Sequence, residues 1–90
     1  MKTIQRFQIG LLSNKEIVYM PKGAKIIYVD AYDGIPFIWA ITDPEAEMVP
    51  FTFYFRAEGQ PFTGQEGEHI ASFQIEGDVR VFHLFAAKEA

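Results

Sequence analysis

The two histidines are the residues of this chain best suited to chemistry, and both lie in its last third. His69 and His83 could join Glu66 and Glu68 around a metal ion, because imidazoles and carboxylates are common metal ligands. The spacing contains neither an HxH nor an HExxH pattern, and there is no third histidine. Histidines on strands are more often partly buried, hydrogen-bonded side chains. We therefore expect neither a metal ion nor a cofactor.

Ser72, His83 and Asp78 include the side-chain types of a nucleophilic triad, and one register of the final hairpin would place Ser72 opposite His83. A triad needs a base in contact with the nucleophile and a third group that orients the base. No nucleophile-elbow motif surrounds Ser72. The 12 acidic residues are dispersed, so no distinct pair of carboxylates suggests glycoside hydrolysis. We expect no enzymatic activity.

Scattered cations allow two interpretations. On strands, Lys25 and Arg56 stand opposite apolar faces, which is typical of solvated faces and of edges protected from aggregation. Alternatively, the cations converge on a pocket for a small anionic ligand at a subunit junction. The candidate anion contacts are Lys22, Lys25, Arg56 and Arg80.

The segment EGQPFTGQEGE, residues 58–68, is the longest polar loop and has Phe62 in its middle. Long loops on a rigid sheet often carry function, which would make Phe62 a contact residue. Alternatively, Phe62 folds back and caps the open end of the β-structure. We favour the cap, because loops of this length are often packed by their own side chains.

The elements that must position these residues are short strands. Asp33-Gly34 separates two apolar runs, 24–32 and 35–42, and this arrangement predicts a hairpin with a type I′ turn. In the preceding segment, MPKGA, Pro21 and Gly23 predict a turn that leads into the hairpin.

Similar runs, rich in β-branched and aromatic residues, recur at near-regular spacing along the chain. They predict seven strands, at 3–11, 17–20, 24–32, 35–42, 51–57, 69–75 and 79–86. Such tight turns imply antiparallel neighbours. We therefore expect one all-β domain over residues 1–90, a small antiparallel β-sandwich or barrel.

The last hairpin has two possible registers. A two-residue loop at 77–78 sets Phe73 opposite Phe82, whereas a three-residue loop at 76–78 sets Phe73 opposite Val81. We favour the three-residue loop, because it gathers the more coherent apolar set and a slip of one residue would split that set. The set comprises Ala71, Phe73, Ile75, Val79, Val81 and Phe85.

The strands at 35–42 and 79–86 are apolar on both faces. One face of an antiparallel sheet is usually solvated. A strand that is apolar on both faces therefore needs something to shield each face from solvent. The cover is either a subunit interface or other parts of the chain, namely sandwich edges, the 58–68 loop and the C-terminus. The candidate interface residues are Phe37, Trp39, Phe62, Phe82 and Leu84.

Composition argues against several classes of protein. The net charge is −4 and the 8 basic residues form no patch, so we expect no nucleic-acid binding. The N-terminus lacks the apolar run of a signal peptide, and no segment approaches the roughly 18 apolar residues of a membrane span. The absence of cysteine excludes disulfides and is compatible with a reducing cytoplasm.

Three segments carry a family resemblance. They are YMPKGAKIIYVDAYDGIPFIWAITDPEAE, FYFRAEGQPF and HIASFQIEGDVRVFHLF. The pattern resembles small single-β-domain proteins of unknown function from bacteriophages and prophages, over about residues 15–86. The shared features are a Met-Pro-x-Gly-Ala turn, a Trp-containing strand before Asp-Pro and a closing strand of the Val-Phe-His-Leu type. The resemblance implies a phage or prophage origin and no catalytic residues.

Together these features predict a non-enzymatic binding module that self-associates. We expect it to act in the cytoplasm of an infected bacterium, by contact with a host protein or by sequestering a small anionic ligand. The alternative is a minor structural or assembly protein of the virion.

Overall fold

The structure of the chain is a computed structural model that describes residues 1–10, 15–75, 77 and 80–87. Leu11, Asp78 and Val79, which the sequence predictions include, lie outside these residues. Seven strands and no helix are found in the described part. They are β1 Thr3–Gln8, β2 Lys15–Pro21, β3 Lys25–Tyr32, β4 Ile35–Thr42, β5 Met48–Ala57, β6 Glu68–Gln74 and β7 Val81–Ala86.

The strands form two antiparallel sheets that pack as a sandwich, which confirms the all-β prediction. One sheet has three strands in the order β1-β4-β3, and the other has four in the order β2-β5-β7-β6. The two sheets share one apolar core, to which Ile38 of β4, Phe53 of β5 and Leu84 of β7 all contribute fully buried side chains.

The hairpin between β3 and β4 forms as predicted. Tyr32 pairs with Ile35, and the two residues between them have positive φ, 55° at Asp33 and 79° at Gly34. Positive φ at both central positions defines a type I′ turn, whose twist matches that of the flanking strands. The hairpin fixes β4 beside β3, and β1 then pairs with the other edge of β4.

Two strands are longer than their sequence patterns suggest. β2 and β5 pair continuously from Lys15 opposite Tyr54 to Pro21 opposite Met48, so β5 continues through Pro50. Proline cannot donate to a ladder and usually ends a central strand. Here β7 pairs with β5 only from Phe53 onward, so Pro50 lies where β5 has a neighbour on one side only.

The register predicted for the last hairpin is wrong. Phe73 pairs with Phe82 and Gln74 with Val81, as the two-residue alternative requires. Leu84 is fully buried, opposite Phe55 of β5, and Phe82 packs against the same core. The core is therefore filled by the even-numbered residues of β7. The sequence left this open because both faces of the strand are apolar.

Candidate functional site

The outer face of the three-stranded sheet is rich in aromatic side chains. β4 alternates strictly, with buried residues facing the core and half-buried or exposed residues facing outward. A bulge at Ile27 shifts the register of β3, so that Tyr28 pairs with Trp39 on the outer side. We call this surface the aromatic face. Its residues are Ile4, Arg6, Gln8, Lys25, Tyr28, Asp30, Tyr32, Ile35, Phe37, Trp39 and Ile41.

The centre of the aromatic face is a packed cluster of rings. The Tyr28 and Trp39 centroids are 5.4 Å apart and those of Phe37 and Trp39 are 6.1 Å apart, both tilted. The Arg6 guanidinium lies 4.7 Å from the Phe37 centroid, a cation–π distance. Tyr28 keeps 54% of its surface exposed and Ile4 keeps 58%. The cluster is therefore ordered by its own contacts and still accessible to a partner.

Asp30 stands at the β3 edge of the aromatic face in a fixed conformation. The Tyr28 hydroxyl donates to Oδ2 at 2.9 Å, and the Ala31 amide donates to Oδ1 at 2.8 Å. The hydrogen bond to Asp30, together with the nearby negative charge, raises the pKa of Tyr28. The face thus presents one ordered carboxylate on β3 and one ordered guanidinium on β1.

The outer face of the four-stranded sheet has a second polar cluster. The Ser72 Oγ lies 2.9 Å from Nε2 of His69 and 2.7 Å from Nδ1 of His83. One hydroxyl can donate to one ring and accept from the other, so both contacts can be hydrogen bonds at the same time. The His69 ring also meets Phe85 at 5.3 Å, edge to face.

This cluster has only part of a catalytic geometry. Ser72 and His83 are in contact because the last hairpin forms in the register of a two-residue loop and not in that of the three-residue loop favoured from the sequence. A nucleophile also needs a third group to orient its base and donors for the developing charge. The second contact of Ser72 is another imidazole, that of His69. Within the described residues, no group of three or more His, Asp or Glu side chains could hold a metal ion.

Glu66, considered above as a metal ligand, instead organises the 58–68 loop. Its side chain is 1% exposed, and its Oε2 lies 2.9 Å from Nη2 of Arg56. Burial alone would raise the pKa of this carboxyl. Hydrogen bonds from the amide and hydroxyl of Thr63, and from Arg56, outweigh burial and lower the pKa to about 2.

Sequence reasoning missed this role of Glu66, although a signal was present. Thr63-x-x-Glu66 has the spacing of a capping box. Glu66 accepts from the Thr63 amide at 3.0 Å, while the Thr63 hydroxyl accepts from the Gln65 amide at 3.1 Å. The first bond is that of a capping box, whereas the second comes from the residue before Glu66, and no helix follows. A search for capping boxes in loops as well as at helix starts would have found it.

Phe62 does not cap the end of the sandwich. Its ring centroid lies 5.2 Å from that of Phe85, on the outer face of the four-stranded sheet, and 58% of its surface is exposed. Of the other candidate contact residues, Phe37 and Trp39 belong to the aromatic face. Leu84 is fully buried in the core and so offers no surface to a partner, whereas Phe82 is half-buried and packs against the core.

The structure distributes the four candidate anion contacts over the molecule. Lys25 is on the aromatic face and Arg56 is on the opposite sheet, paired with Glu66. Lys22 lies in the β2–β3 turn, and Arg80 stacks on Phe82 at 5.2 Å. A cleft of about 270 Å³ between β3 and β6, and one of about 460 Å³ beside the 58–68 loop, are lined by none of the four.

Fold and surface define an all-β sandwich with one aromatic sheet face. The chain belongs to a family described as a domain of unknown function (DUF7352), whose model matches residues 1–90. No curated protein and no solved structure matches the chain. In the part of the chain that the structure describes, no helix has the length and apolar character needed to cross a membrane.

Proposed function

We propose that this protein is a non-enzymatic binding module of phage or prophage origin, which acts through its aromatic face. The phage origin is proposed from the residue patterns shared with phage and prophage proteins. Its place of action is then the cytoplasm of an infected bacterium. The observation that carries the proposal is the cluster of Tyr28, Phe37 and Trp39 on an outward sheet face, with exposed apolar residues beside it.

Aromatic residues and arginine are enriched where proteins bind one another. Aromatic side chains supply large contact area at low entropic cost. The aromatic face presents aromatic rings and an arginine together on one sheet surface. The largest exposed apolar patch of a monomeric protein is often functional. Contact with a protein therefore accounts for this surface better than solvent does.

Capture of a small anion is the weaker of the two expected modes of binding. None of the predicted cations lines either of the two clefts described above, and the guanidinium of Arg56 is paired with Glu66. An anion site needs several donors directed at one point. We therefore propose a protein partner and not a small anionic ligand.

Site-specific photo-cross-linking tests the proposal with a matched control. A photoreactive phenylalanine analogue replaces Tyr28 on the aromatic face or Ile17 on the outer side of β2, which are 54% and 53% exposed. Illumination in bacteria that express the protein should give discrete cross-linked species at position 28 and few at position 17. Equal yields at both positions, or none at position 28, would contradict a role for the aromatic face.

A further inference from the structure

Two opposite charges flank the Phe37 ring on the two edges of the aromatic face. Arg6 pairs with Trp39 in the β1–β4 ladder, but its guanidinium leans over the Phe37 ring, 4.7 Å from the centroid. Asp30 pairs with Phe37 in the β3–β4 ladder. Arg6 therefore places a positive charge on the β1 side of the Phe37 ring, and Asp30 places a negative charge on its β3 side.

This arrangement discriminates between the two ways in which a second copy could pack face to face with its strands aligned with those of the first. About a two-fold axis parallel to β4, strand β1 of each copy lies over β3 of the other, and Arg6 meets Asp30 twice. About an axis perpendicular to β4, β1 lies over β1, so Arg6 meets Arg6 and Asp30 meets Asp30. Opposite charges across an interface fix the register, and like charges oppose it.

Resting on the function proposed above, we propose that the occupant of the aromatic face is a second copy of this chain, related by a two-fold axis parallel to β4. Arg6 of each copy then pairs with Asp30 of the other. Both side chains are already ordered, Arg6 by Phe37 and Asp30 by Tyr28 and the Ala31 amide. Such preorganisation lowers the entropic cost of association.

The size of the face sets the expected strength. Three strands spaced by about 4.8 Å, one of six residues and two of eight, at about 3.4 Å per residue, give a footprint of about 360 Å² per copy. Standard interfaces bury about 800 Å² per partner. Each copy also carries a net charge of −4. We therefore expect a dimer with a Kd in the micromolar range, roughly 1–100 µM.

Charge reversal tests the axis. Arg6→Glu and Asp30→Arg should each weaken the dimer at least tenfold in sedimentation velocity, since each places like charges together twice. An equimolar mixture of the two variants should form a heterodimer, in which both pairs are again opposite. The double variant R6E/D30R should dimerise with itself and should not exchange with the unmodified chain.

Lys22→Glu and Glu45→Arg are the controls, because they change the net charge equally in exposed turns away from the aromatic face. Far-UV circular dichroism confirms that every variant is folded. Dimerisation unaffected by the single reversals, or a double variant that prefers the unmodified chain, would overturn the axis. A chain that is monomeric at all concentrations would overturn self-association. Cross-linking at position 28 to other proteins would still support the contact function.

Discussion

The Arg56 guanidinium and the Glu66 carboxylate form an ion pair that joins β5 to the 58–68 loop, with Nη2 2.9 Å from Oε2. The carboxylate also accepts the amides of Thr63 and Gly64. One buried acidic side chain thus fixes the loop that holds Phe62 against Phe85. The loop is positioned by an electrostatic contact and not by an apolar core of its own.

Glu66→Gln should lower the midpoint of thermal unfolding at pH 7 by roughly 5–10 °C, because the charged partner of Arg56 is lost. The folded pKa of about 2 lies below the usual value of 4.5. The stability that Glu66 contributes is therefore present above pH 4.5 and is lost as the pH falls towards 2. As the pH is lowered over this range, the melting temperature should fall more steeply for the unmodified chain than for the variant. The same dependence of melting temperature on pH in both proteins would contradict the lowered pKa of Glu66.

Leu84→Ala and Phe85→Ala test which face of β7 fills the core. Leu84 is fully buried, so its truncation should cost about 3 kcal/mol of unfolding free energy. Phe85 is half-buried on the outer side, against Phe62 and His69, and its truncation should cost about 1–2 kcal/mol despite its larger volume. Urea unfolding measures both values. A larger loss for Phe85 would indicate the opposite register.

Two glycines of the 58–68 loop test how closely the loop approaches β7. Gly64 and Gly67 both have positive φ, 87° and 97°, so alanine at either position carries a conformational cost of about 1–2 kcal/mol. A Cβ at Gly64 meets open space, whereas a Cβ at Gly67 would collide with the Ala86 carbonyl oxygen. Gly67→Ala should therefore lower the melting temperature well beyond Gly64→Ala. Equal losses would show that the loop can move away.

The Tyr28–Asp30 hydrogen bond should be visible in a spectrophotometric titration of the 4 tyrosines. Because Asp30 raises the pKa of Tyr28, one phenol should ionise at higher pH than a free tyrosine. Asp30→Asn should move that transition towards pH 10, and Tyr28→Phe should remove it. An unchanged curve in Asp30→Asn would show that the Asp30 carboxylate is not held at the aromatic face by Tyr28.

The fold was predictable where the signal is local. Asp33-Gly34 specifies its own turn, and β4 has the predicted bounds, Ile35–Thr42. The register of β6 and β7 was not predictable, because the apolar residues on both sides of β7 fit two alignments and only packing against Phe55 decides between them. The Thr63-x-x-Glu66 spacing signals the contact of Glu66 with the Thr63 amide, whereas its pairing with Arg56 depends on how the loop packs on β5, which the sequence does not show.

The candidate site was predictable in part. The alternation in β4 marks Phe37 and Trp39 as a second apolar face, and the structure places both outward. The side chains beside them could not be inferred from the sequence. Arg6 and Tyr28 are brought there by the pairing of β1 and β3 with β4. The bulge at Ile27, which determines how Tyr28 aligns with Trp39, has no clear signature in the sequence.

Trp39 offers the most direct test of the account, because it is the single tryptophan of the chain and lies half-buried on the aromatic face. Its emission wavelength and its quenching by iodide should be measured from about 0.1 µM to about 300 µM protein, which spans the expected Kd. Contact between two aromatic faces predicts emission that shifts to shorter wavelength, and quenching that declines, as the concentration rises through the Kd. Emission and quenching that stay constant over the whole range would contradict the proposed dimer.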